Sequence, residues 1–72
     1  MTPSDFNLLP VIEQAILVST DAELIGEYHD NEYSYSAYTL LQFYVEVSIE
    51  MANHKNIAYK ATSYAPSWMV VA

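Results

Sequence analysis

From Leu41 to Ala52 the chain alternates without a break. Leu41, Phe43, Val45, Val47, Ile49 and Met51 are apolar, and Gln42, Tyr44, Glu46, Ser48 and Glu50 between them are polar or amphipathic. A period of two is that of a half-buried strand, so the pattern predicts one face on a core and the other carrying a Tyr and two carboxylates. Tyr33, Tyr35 and Ala37, interleaved with Ser34, Ser36 and Tyr38, repeat the period. A single strand from Tyr33 to Met51 would far exceed the usual ~5–6 residues, so a bend or turn is expected near Tyr38 to Leu40. Beyond the polar turn Asn53-His54-Lys55-Asn56, Ile57, Tyr59, Ala61 and Ser63 alternate again and predict a closing hairpin. Pairing Ile49 with Ala61 sets Glu50 beside Lys60 and Ser48 beside Thr62, whereas a slip of one residue drives Lys60 into the core. Pro66 ends this strand, and Trp68 to Val71 either returns as a short edge strand or packs as a tail.

The first third of the chain reads as helix. Thr2 is a good N-cap, Pro3 suits the first helical position, and Asp5 stands where the acid of a capping box belongs. Phe6, Leu9, Ile12 or Glu13, Ile16 and Leu17 then form an apolar stripe at helical spacing. Pro10 interrupts it, because a mid-helix Pro removes a hydrogen bond and costs roughly 3 kcal/mol. Helix is therefore expected across Pro10 to Val18, kinked or restarted at Pro10. Thr20-Asp21-Ala22-Glu23 repeats the capping pattern and predicts a break at Ser19. The segment that follows has two readings: a helix with Ala22, Ile25 and Tyr28 on one face, or a strand from Leu24 to His29 with Gly26 as a bulge. Both end at the turn-forming His29-Asp30-Asn31. The predicted class is α+β, one domain spanning residues 1–72, with an N-terminal helix, kinked or split at Pro10, on a small antiparallel sheet of three to four strands ending in a hairpin.

Composition sharpens this picture. At 72 residues a single core barely offsets chain entropy, and a hydrophobic content of 53% compensates for the small size and argues against disorder. There is no Cys, hence neither a disulfide framework nor a thiolate metal site. The start of the chain lacks the basic segment of a signal peptide, and no apolar run approaches the ~18 residues of a membrane span, so a cytoplasmic protein is expected, in host cytoplasm if phage-encoded.

Nine acids against Lys55 and Lys60 leave a formal charge of −7, with no Arg. Direct contact with nucleic acid or an anionic membrane is thereby disfavoured. Five of the acids, Asp21, Glu23, Glu27, Asp30 and Glu32, fall in a segment that contains no Lys or Arg. Such a run more often marks a solvated surface than a docking site.

Catalytic signals are weak. His29 and His54 both lie in predicted turns, and His29, Asp30 and Glu32 match no established metal-ligand spacing. A chain with one Gly has no phosphate-cradling loop, and there is no nucleophile elbow. Glu46 and Glu50 share a strand face about 13 Å apart, too far for paired-carboxylate chemistry. No enzyme activity, metal or cofactor is expected.

The aromatics change the balance. Seven Tyr, two Phe and one Trp make 14% of the chain, more than so small a domain can bury with every hydroxyl paired. Tyr28, Tyr33, Tyr35 and Tyr38 interleave with the acidic segment, and Tyr44 and Tyr64 belong to the outer sheet face with Glu46 and Glu50. Tyrosines are good strand formers whose rings cover a thin sheet, and that role is as well supported as a binding one. As a binding surface, tyrosine supplies contact area at low entropic cost while carboxylates steer a basic partner. The candidate partner-binding residues are Asp21, Glu23, Glu27, Tyr28, Asp30, Glu32, Tyr33, Tyr35, Tyr44, Glu46 and Glu50.

In size, charge and predicted fold class the chain resembles the small acidic proteins with which phages disable host nucleases, restriction or CRISPR systems. That resemblance rests on no alignable motif. It implies an inhibitor or immunity-type domain that blocks the basic surface of a nucleic-acid-binding protein, carboxylates standing in for phosphates. The alternative is a self-assembling structural or accessory protein, a homodimer for example, whose acidity serves solubility.

Overall fold

The computed structural model describes residues 1–52 and 56–69. Two short helices, α1 (Pro3–Asn7) and α2 (Val11–Asp21), precede four strands, β1 (Glu23–His29), β2 (Tyr33–Leu40), β3 (Phe43–Glu50) and β4 (Ile57–Thr62), and a 3-10 turn, Ser67–Met69. The strands form an antiparallel meander in the order β1-β2-β3-β4, and the helices pack on one face. This is the α+β arrangement expected, with four strands. Its flatness, 33 × 32 × 19 Å, is that of two layers with the second sheet face left without helices.

The helical segment splits at Pro10. Thr2 and Asp5 form the reciprocal capping box of α1, with the Asp5 amide donating to Thr2 Oγ1 and the Thr2 amide to Asp5 Oδ2, each at 3.1 Å. Pro10 has no N–H to send to the Phe6 carbonyl; that carbonyl instead accepts the Leu9 amide and the side-chain amide of the buried Gln14, both at 3.0 Å. The break resets the helical phase. In α2 Gln14 and Val18 are buried and Leu17 of the expected stripe packs against the core, as does Leu9 before Pro10, while Ile12 and Ile16 are 70% and 54% exposed. Nor does the chain break at Ser19: α2 continues to Asp21, and Thr20 donates its hydroxyl to the Ile16 carbonyl inside the helix rather than capping a new one.

The core is Phe6, Val18, Leu40, Phe43, Val45, Val47 and Ala61, with Phe6 edge-on to Phe43 at 6.1 Å. The expected alternation holds within β3, where Phe43, Val45 and Val47 are buried and Tyr44, Glu46 and Ser48 are not. It fails at both ends. Leu40 pairs with Phe43, so Leu41 and Gln42 form a two-residue hairpin turn, and Leu41, at φ 57°, is 68% exposed. Met51 lies past the strand and is also exposed.

The last hairpin keeps the predicted parity in a different register. Ala61 pairs with Val45 rather than Ile49, so Lys60 stands beside Glu46, not Glu50, and Thr62 beside Tyr44. A shift of four residues preserves which side chains face the core, which is what hydrophobic alternation constrains. Of the predicted turn, Asn53, His54 and Lys55 lie outside the described residues, while Asn56 donates to Glu50 Oε2 at 2.9 Å. Asn7 ties α1 to β4: its side-chain amide donates to the Ala61 carbonyl at 3.0 Å and its oxygen accepts the Ala61 amide at 2.8 Å. One side chain thus satisfies the outward backbone groups of Ala61 as a neighbouring strand would. No helix among the described residues is long and apolar enough to cross a membrane.

Candidate interaction surface

The segment with two readings is a strand, and its irregularity determines the candidate surface. Leu24 pairs with Tyr38, but Gly26 pairs with Ala37, so one extra residue is accommodated between Leu24 and Gly26. This bulge exchanges the faces of everything after it. Without it Tyr28 would lie beside Ser34 on the helix side; with it Tyr28 lies beside Tyr35 on the open side, and Glu27 moves to the helix side beside Ser36.

Across the open face run Tyr28 of β1, Tyr33 and Tyr35 of β2, and Tyr44, Glu46 and Glu50 of β3. The rings of Tyr28, Tyr33 and Tyr35 form a continuous cluster: Tyr28 and Tyr35 are stacked with centroids 6.0 Å apart, and Tyr33 and Tyr35 are 6.1 Å apart. The chain then folds back over this face. After Pro66 the 3-10 turn lays Trp68 against Tyr28 at 5.9 Å and Tyr35 at 6.4 Å. The indole N–H donates to Glu46 Oε2 at 2.6 Å. Small residues make the seat: Ala37 is fully covered although it lies on the open face, and a Cβ on Gly26 would stand 3.1 Å from the Met69 methyl.

Glu46 is therefore not a free surface carboxylate. It is half-buried, bonded to Trp68, has Lys60 as its cross-strand neighbour, and lines an open pocket of about 290 Å³ with Lys60, Thr62, Tyr64 and the Pro66–Ser67 bend. Burial holds the Tyr35 hydroxyl above its ordinary pKa of 10.0, and the negative charges of Asp30, Glu46 and Glu32 add to that effect. The phenol remains a neutral donor across the physiological range.

Asp30 has a structural task. Its Oδ1 accepts the amides of Glu32 and Tyr33, each at 2.8 Å, closing the β1–β2 turn. Those bonds, with Tyr33 first, hold its carboxyl below the ordinary 3.8. Glu32 in the same turn shares a second shallow pocket with Tyr33, Glu50 and Met51 at the end of the sheet, and its charge acts on the Tyr35 hydroxyl.

The structure divides the expected acidic segment. Glu32, Glu46 and Glu50 border the tyrosine cluster, and Glu23 lies on the same face beside Thr39 at its far end. Asp21 closes α2 and Glu27 lies on the other face. Tyr38, expected among the surface aromatics, packs against the core beside Val45, and Tyr64 lies beyond the end of β4, 82% exposed. Of the two readings for Trp68, an edge strand or a packed tail, the structure shows the second, with Trp68 packed on the open face. The single Gly in a strand pattern, with an Ala to pair it, was the available signal that another element approaches closely. No family model matches the chain, and no match is found among curated proteins or solved structures.

Proposed function

We propose that this domain is a small protein-binding inhibitor, of the immunity or phage anti-host type exemplified by nuclease inhibitors and anti-CRISPR proteins. In this reading it occupies the basic nucleic-acid-binding surface of another protein in the cytoplasm, with carboxylates standing in for phosphates. The observation that carries the reading is the tyrosine cluster on the helix-free sheet face, bordered by Glu32, Glu46 and Glu50, in a chain of formal charge −7. Rings fixed by cross-strand stacking offer contact area at low entropic cost, and the charge steers association with a basic groove. The test is affinity capture of the tagged domain from host lysate at low and high salt, beside a variant carrying Glu32→Gln and Glu50→Gln. Recovery of a basic nucleic-acid-binding protein, weakened by salt and by the variant, is the expected outcome; capture indifferent to both removes the reading.

A second reading, self-assembly, is favoured by one separate observation. Leu8, Val11, Ile12 and Ile16 are each more than half exposed on the outer side of the helices, at 84%, 57%, 70% and 54%. Exposed apolar side chains of this kind on the helices suit burial against a second copy.

A further inference from the structure

We infer that the Trp68 turn is a removable occupant of a site that accepts an arginine side chain from the partner, built from the rings of Tyr28 and Tyr35 and the carboxylate of Glu46. This rests on the proposal that the partner is basic, and names the group it presents. The argument starts from the chemistry that Trp68 satisfies. A planar, delocalised group lies against two tyrosine rings, 5.9 and 6.4 Å away between centroids, and its N–H points at a carboxylate oxygen 2.6 Å distant. A guanidinium meets the same requirements with more to gain: it is planar, it stacks on aromatic faces, and its N–H groups form charge-assisted bonds to carboxylate. An indole is neutral and leaves the negative charge of the carboxylate uncompensated by its own N–H bond, although Lys60 is the cross-strand neighbour.

The attachment of the turn suits exchange. Among the described residues one backbone bond, from the Met69 amide to the Pro66 carbonyl at 2.9 Å, holds the 3-10 geometry, and Trp68 and Met69 are half-buried rather than enclosed. The seat beneath them consists of Gly26 and Ala37, which belong to paired strands and stay in place when the turn lifts. Glu46 is also reachable from the side, through the open pocket it lines with Lys60 and Thr62. The negative charges of Asp30 and Glu32, which also act on the Tyr35 hydroxyl, favour a cation at this position over the neutral indole. Lysine is a poorer occupant, since a compact ammonium neither stacks nor forms a planar fork.

Trp68 is the only tryptophan, so its emission reports the exchange directly. The experiment titrates the intact protein with a short, dye-labelled arginine peptide, and separately with a lysine peptide of equal length, reading binding by anisotropy and Trp68 by fluorescence. The expected result is a saturable shift of Trp68 emission to longer wavelength with the arginine peptide, with affinity about tenfold above that for lysine. Glu46→Gln, whose amide oxygen still accepts the indole N–H, should keep the unfolding temperature near wild type and lose the arginine preference. Arginine binding that leaves Trp68 emission unchanged, or that survives Glu46→Gln undiminished, overturns the inference while leaving the acidic-surface reading standing. Failure of both peptides to bind at low salt overturns the inference and the acidic-surface reading together.

Discussion

Leu41 is the residue most at odds with its backbone. A two-residue hairpin turn with φ positive only at its first position has the dihedral signature of a type II′ turn, a place that glycine fills without strain. Leucine there carries strain of order 1 kcal/mol and leaves an apolar side chain in water. Leu41→Gly should raise stability by up to about 0.5 kcal/mol after the entropy glycine adds to the unfolded chain, read as a higher urea midpoint at unchanged slope. A lower midpoint would mean that the Leu41 side chain holds something in place. Read from the alternation, Leu41 is the first buried residue of a strand. Hydrophobicity locates apolar residues but not the tight turns that override them, and here the pairing of Leu40 with Phe43 decides the turn. Gln14 is the complementary case, a polar residue at a core position because a carbonyl beside Pro10 lies within its reach.

At the scale of elements, two side chains act as joints. Asn7 holds the edge of β4 through a donor and an acceptor, and Asn7→Ala should cost about 1–3 kcal/mol, read by chemical denaturation. Faster amide exchange at Ala61 should accompany it. Asp30 closes the β1–β2 turn, and its lowered pKa sets a direction in pH. A carboxyl whose pKa is lower folded than unfolded stabilises the fold above the unfolded value, and that contribution is lost as pH falls through the folded value. Stability should therefore decline below about pH 4, and Asp5, lowered by its bonds to Thr2, contributes in the same sense. Asp30→Asn keeps an acceptor in the turn and should flatten this part of the stability profile, as followed by thermal unfolding across acid pH; a profile unchanged from wild type would assign the acid sensitivity elsewhere. The Thr2–Asp5 cap and the turn at Asp30 were both legible in the sequence, because each is settled within four residues of chain. The Thr20 cap was not, since its pattern competes with continuation of a helix already formed.

For the whole molecule, the two faces make different demands. The tyrosine face is half-covered by the chain's own C-terminal turn, while the apolar stripe over the helices is uncovered. Ile12→Gln combined with Ile16→Gln should leave the unfolding free energy within about 0.5 kcal/mol, because neither side chain is in the core. If copies associate through the stripe, light scattering should show a larger particle for the wild type and a single chain for the variant; a single chain in both cases removes self-assembly through this face. The proposed inhibitor role assigns the stripe no part in capture, so the same variant should retain its target.

Local pattern determined by itself that this chain is an acidic α+β domain with strands at β2, β3 and β4, a capped first helix and a disruption at Pro10. Those features follow from side-chain periodicity, capping chemistry and proline geometry, all of which act over a few neighbouring residues. Tertiary structure decided the four-residue offset of the last hairpin, the phase of α2, the bulge that carries Tyr28 to the open face, and the return of Trp68 onto Tyr28, Tyr35 and Glu46. Each of these turns on contacts between segments far apart in the chain, where several arrangements satisfy the same alternation and only packing chooses among them.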